Sequence, residues 1–250
     1  MDDELLVERH GAVAVLTIAR PRRRNALGDA LVARLGEAFA ALDADRDVGA
    51  TVLAGQAPGF CAGSDLKELG SMSLDEMCEH EARTARFCRG LALLRKPVVA
   101  AVEGFALGGG FVLAASCDVV VTARTTRWHL PEVQIGWIPP WGLETLVNRV
   151  GTSRARQLTW GGAPLDGAEA HRLGLADHLA DDGAALARAL EVAQSLARLP
   201  REAVASAKLY FASHGARNGE GGDALASQMF RENCGHAAAR ATLAKFGVKS

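Results

Sequence analysis

Apolar and polar positions alternate over the first twenty residues. There "LLVERH" and "AVAVLTIAR" flank His10-Gly11, and a period of two across a polar break predicts a hairpin of two strands. From Asp29 to Asp45, "DALVARLGEAFAALDAD" lengthens to helical spacing, with an acidic residue at its N-terminal end. "ATVLAG" then reads as a buried strand. The cycle repeats as a helix within 74–94, a strand "PVVAAVEG" from Pro97 to Gly104, a short helix from Gly109, and a strand "DVVVTA" from Asp118 to Ala123. Strands alternating with helices predict an α/β architecture with mostly parallel pairing.

After Trp141 the pattern turns helical through "LETLVNRVG", "SRARQLTW" and "DGAEAHRLG". A short apolar stretch, "LADHLA", precedes a longer helix over about Ala184 to Arg198, and Pro200 marks a boundary. Beyond it, 201–214 and 223–246 read as amphipathic helices separated by the Gly-rich "GARNGEGG". The expected organisation is therefore a core over 1–198 and a helical region over 199–250. Some fifty residues of helix make a poor independent core, so that region is expected to pack on a neighbour, within the chain or in an oligomer.

Composition narrows the function. At 250 residues and 49% hydrophobic, the chain can bury a sizeable core. A formal net charge of -1 gives no basic stripe of the kind that nucleic acid requires, and no reason to expect an acidic membrane surface as partner. The short basic cluster Arg20, Arg22, Arg23 and Arg24 reads as a solvated loop or as an anion site. The N-terminus is acidic and interrupted by charges, unlike a signal or transit peptide, and no apolar run approaches a membrane span. Five cysteines without a C-x-x-C pair fit a reducing compartment, and the seven histidines show no metal-ligand spacing. The expectation is a cytoplasmic protein without a metal.

Two stretches invite chemistry. "EGFALGGGF" places Gly108, Gly109 and Gly110 where a strand gives way to a helix. There the first N–H groups lack helical partners and the macrodipole is positive, so a phosphate or the negative oxygen of a reacting carbonyl fits, as does a plain tight turn. "GFCAGSDLKEL" repeats the arrangement at Gly59 to Leu69, where Ser64 and Asp65 can cap the next turn or the backbone can present a second donor.

These two stretches, with "RPRRRNAL", "CDVVV" and "LPEVQIGWIPPWG", together resemble the enoyl-CoA hydratase/isomerase (crotonase) superfamily in order and spacing, over nearly the whole chain. The resemblance implies a spiral of repeated ββα units with a C-terminal helical trimerisation region, hence a homotrimer or homohexamer. It implies an acyl-CoA substrate, with coenzyme A present as part of the thioester and no tightly bound cofactor. It also implies a thioester oxygen held by two backbone amides, which on this chain are those of Ser64 and Gly109. Arg22 and Arg24 are then expected near the nucleotide phosphates, and Ala62, Asp65 and Leu66 along the adenine and pantetheine. Lys245 falls where a C-terminal lysine of the family reaches CoA, although the usual aromatic residue three positions earlier is Thr242. Leu69, Phe111, Val112, Trp137 and Trp141 are expected to line the acyl pocket.

Hydratases of the family carry a glutamate three residues past the middle glycine and another twenty residues on. Here the first position is Val112, which cannot transfer a proton, and the second is Glu132. Partial desolvation beside Pro131 would favour the neutral form of Glu132 and suit it to proton exchange, whereas a surface or capping role needs no such setting. A single carboxyl group suffices to move a double bond, so the expectation is 3-enoyl- to 2-enoyl-CoA isomerisation. Hydration is the alternative, or a hydratase-lyase of the hydroxycinnamoyl-CoA type, which "GWIPPWG" resembles. A CoA-binding relative without catalysis is a further possibility. The aspartate used by dienoyl-CoA isomerases and aroyl-CoA dehalogenases has Pro140 in its place.

Overall fold

A computed structural model describes residues 4–215 and 219–246. Strands β1 (Leu5–His10) and β2 (Val13–Ile18) form the expected antiparallel hairpin. β3 (Ala50–Gly55), β4 (Val98–Val102), β6 (Val119–Ala123) and β8 (His178–Ala180) then add in parallel, in the order β1-β2-β3-β4-β6-β8. The period of two divides the side chains between the two faces. Val13, Val15, Val52, Ala54, Val99 and Ala101 meet Ala185, Ala189 and Ala193 of α7 (Ala185–Ala197). Ala14, Leu16, Leu53, Ala100 and Val102 instead join the larger core on the opposite side. That core is closed by α1 (Asp29–Ala44), α3 (Leu74–Leu91), α4 (Gly109–Ala115) and α5 (Leu143–Thr159).

Helix starts follow local chemistry. The carboxylate of Asp65 accepts from the N–H groups of Lys67 and Glu68 and opens the single turn α2 (Leu66–Leu69). Ser73 and Glu76 form a reciprocal capping box at α3. The helical stretch after Trp141 runs as one element, α5, broken only by Gly151 at φ 74°. α6 (Gly167–Arg172) and α8 (Arg201–Gly215) follow the expected pattern. The single helix expected over 223–246 is instead α9 (Gly219–Cys234) and α10 (Ala237–Lys245), parted at Gly235-His236. α9 packs on α3 and α5, so this part of the 199–250 region folds back on its own chain.

A second, smaller sheet positions the site. β5 (Phe105–Leu107) pairs in parallel with β7 (Arg127–His129), bringing Ala106 opposite Trp128. Cys61 bridges to Ala106 from the other side, also in parallel. Three chain segments distant in sequence therefore run side by side in one direction, each leading into a candidate site residue.

Candidate active site

The first segment turns at Gly63, the second at Gly108. Gly63 has φ +89°, and a methyl group there would lie 2.9 Å from the Gly109 nitrogen, so only glycine lets the corners approach this closely. Gly108 has φ +53°, and a methyl on it would stand 2.9 Å from the Glu132 Oε1 atom. The glycines of "GGG" thus serve two ends: a backbone turn into α4, and open space for a carboxyl group above it. Among the described residues, neither the Ser64 nor the Gly109 N–H donates to a backbone carbonyl. Both residues line one cavity, together with Ala62, Leu66, Val112 and Glu132.

Glu132 follows β7 and lies at the start of a 3-10 turn, Val133–Ile135. It is 8% exposed, and its Oε2 atom is buried without a hydrogen-bond partner among the described residues. Burial pushes its pKa up from 4.5 to about 7; its own backbone N–H opposes the shift, and the negative charge of Glu81 adds to it. A carboxyl group in this state exchanges a proton near neutral pH, which is what an acid/base residue needs.

Leu69, Val112, Trp137 and Trp141, four of the residues expected at an acyl pocket, stand in the apolar wall of this cavity. Trp137 is held edge-on by Phe230 of α9 at 5.9 Å, and the backbone N–H of Ile138 donates to Asn233 at 3.0 Å. Leu243 of α10 and Phe246 just after it also line the cavity. Pro139 and Pro140 complete this wall. Phe111 corrects the expectation: it is buried in the core against Trp128, ring centroids 5.2 Å apart, and does not line the cavity. The reason is helical geometry, since successive residues of α4 point about 100° apart and Val112 already faces inward.

The residues expected near CoA divide. Ala62 and Leu66 line the cavity, and the Ala62 N–H donates to the Arg24 carbonyl at 3.1 Å. Arg24 sits in a left-handed conformation with its guanidinium 4.5 Å from the centroid of Phe105, while Arg22 is exposed in the 3-10 turn Pro21–Arg23. The Asp65 carboxylate is already committed: besides capping α2 it meets Arg20 at 3.3 Å and Arg23 at 3.2 Å. It serves the fold of this corner, and Asp65 does not line the cavity. Lys245 is exposed at the end of α10, outside the cavity wall.

A model described as enoyl-CoA hydratase/isomerase matches residues 8–249. The chain belongs to the enoyl-CoA hydratase/isomerase family. As a member of that family it is an acyl-CoA enzyme with the crotonase fold. It is 40% identical over 207 residues to a protein of Rhizobium meliloti (strain 1021) named "Probable enoyl-CoA hydratase", covering 82% of this chain and 80% of the other. It is 35% identical over 206 residues to the 2,3-dehydroadipyl-CoA hydratase of Escherichia coli (strain K12), covering 82% and 80%. A crystal structure of an enoyl-CoA hydratase/isomerase from Mycobacterium paratuberculosis superposes with a TM-score of 0.88 at 29% identity, covering 98% of this chain and 99% of that one.

One residue of this family member's site escaped the motifs. Glu81, on α3, is 5% exposed and lines the same cavity. Its two oxygens accept from the Ser64 hydroxyl at 2.8 Å and the Trp141 indole N–H at 2.6 Å. The signal lay in periodicity: Met77, Cys78, Thr84, Ala85 and Cys88 form the buried stripe of α3, and Glu81 falls within it. A carboxylate in an apolar stripe is costly unless it is used.

Proposed function

We propose that this protein moves protons on an enoyl-CoA, converting a 3-enoyl to a 2-enoyl thioester. The observation that carries this reading is the Glu132 carboxyl oxygen, buried with no partner among the described residues, in a cavity that Ser64 and Gly109 also line. In the first step the Glu132 carboxylate takes a proton from C2. The electron pair of the broken C–H bond moves into the thioester, and the resulting enolate oxygen is held by the two N–H groups. Each such donor contributes about 3–4 kcal/mol to lowering a barrier of this kind. Glu132 then returns its proton at C4, the double bond comes to rest between C2 and C3, and no atom is gained or lost. Val112, where a second glutamate would activate water, supplies only an apolar wall.

Hydration is the second reading, favoured by the hydratase names of the relatives. The reactions separate by product. Incubation with trans-3-hexenoyl-CoA and with crotonyl-CoA, followed by mass and NMR identification, is expected to give an isomer of unchanged mass from the first. A product heavier by one water from crotonyl-CoA, with no isomer from trans-3-hexenoyl-CoA, would replace isomerisation by hydration. The reading extends to a trimer or a dimer of trimers, supported by the exposed apolar side chains of Leu209, Phe211, Leu225 and Met229 on α8 and α9.

A further inference from the structure

Glu81 has no place in the reaction as written above, yet it lies in the same cavity. Among the described residues lining that cavity, Glu81 and Glu132 are the only titratable side chains. Burying a carboxylate costs several kcal/mol unless hydrogen bonds or a cation compensate. Here the partners are neutral: a hydroxyl and an indole. Cys78, Cys88 and Cys234 also lie within reach of its charge, each with its thiol pushed up chiefly by burial and in part by Glu81.

The two partners belong to opposite sides of the site. Ser64 carries one of the two amides. The Trp141 ring lies against the other corner, where a methyl on Gly109 would be 3.1 Å from its Cζ2 atom. We propose that Glu81 is a positioning residue, whose two oxygens tie Ser64 to Trp141 and so fix both oxyanion corners relative to each other. The inference rests on the reading of the Ser64 and Gly109 amides as oxyanion donors. Its charge has a second consequence. It lines the same cavity as Glu132, where no described wall residue is a cation, and its charge adds to the burial that keeps a proton on that carboxyl up to near neutral pH. A tether that were only scaffolding would leave this proton equilibrium alone, and that difference makes the role measurable.

The test compares full-length wild type with Glu81→Gln, Glu81→Asp and Trp141→Phe, using trans-3-hexenoyl-CoA and crotonyl-CoA for turnover. Acetoacetyl-CoA, whose enolate absorbs in the near ultraviolet, reports the oxyanion site without turnover. Glu81→Gln is expected to lower kcat by about tenfold or more with KM nearly unchanged, because misplacing a donor acts on the transition state. Its kcat/KM profile is expected to rise at a lower pH than that of wild type, since the charge that opposed ionisation of Glu132 has gone. Bound acetoacetyl-CoA is expected to show less enolate. Glu81→Asp keeps the charge and shortens the reach, so its midpoint stays at the wild-type value while kcat falls.

Should Glu81→Gln fail to fold, Trp141→Phe carries the test by cutting one tether and leaving the charge. A fall in kcat without a lowered midpoint supports the proposal, and wild-type kcat overturns it. An unmoved midpoint with unchanged enolate absorbance in Glu81→Gln also overturns it. A wild-type protein that neither turns over either thioester nor binds acetoacetyl-CoA removes the functional reading itself, and the positioning role with it.

Discussion

Replacing Glu132 with glutamine is expected to stabilise the protein by an amount that grows with pH. The folded chain holds this carboxyl with a pKa of about 7, against an ordinary value of 4.5. Between those values the native state keeps a proton that the unfolded state has released. Native stability therefore falls as pH rises through this window, by up to about 1.4 kcal/mol per unit. Integrated from pH 5 to pH 8.5, the loss is about 2–3 kcal/mol. Glutamine does not titrate and escapes it. The unpaired amide that glutamine places at the Oε2 position has its own cost, but that cost is constant with pH and cancels when two pH values are compared. For a domain of this size, 1 kcal/mol corresponds to about 2–4 °C in Tm, so the gap between variant and wild type should widen by roughly 5–10 °C. Thermal and urea unfolding at pH 5, 6, 7 and 8.5 measure it. A difference between the two proteins that stays flat across that range would refute the buried, proton-holding state of Glu132, whatever the activity data show.

Four further outcomes follow from the structure. The wild-type kcat/KM for isomerisation should rise with pH to a plateau with a midpoint near 7, because Glu132 must be ionised to accept the C2 proton. In Glu132→Gln the rate should drop by about 10²–10⁴-fold, measured by the ultraviolet absorbance of the conjugated thioester. Gly108→Ala places a methyl 2.9 Å from Glu132 Oε1 at a positive φ. Turnover should fall by about 10²-fold or more, with melting temperature lowered by a few degrees, compared by calorimetry and initial rates. The Cys61 and Cys117 thiols are pushed up to about 12 by burial, so iodoacetamide at pH 8 should leave both unmodified in the native protein and alkylate both after unfolding, as read by peptide mass.

Much of the main sheet was legible because five of its six strands run for five or six residues, long enough for an apolar run or a period to show. β5 and β7 have three residues each, too few for a period to emerge, and they went unread although they organise the site. The break at Gly235-His236 was hidden because apolar positions continue across it in near-helical register. Glu132 was singled out only through the family resemblance, which sets a second glutamate twenty residues past the position of Val112. Phe111 was misplaced because a list of apolar neighbours holds no information on which way a helix is rotated. Glu81 was overlooked for the opposite reason: it belongs to no motif, and only the stripe of α3 around it marks it as buried.

Cys61, Ala106 and Trp128 stand abreast in one parallel ribbon, and Ser64, Gly109 and Glu132 emerge three, three and four residues further along. Adjacent strands keep a spacing of about 4.8 Å, set by hydrogen bonds that no side chain alters. On the proposed reading the ribbon works as a ruler, marking off where an acyl oxygen and the carbons beside it would come to rest. On that reading, exchanging the side chain at position 112 or 132 would change which bonds are made or broken there, while the graduations stay put.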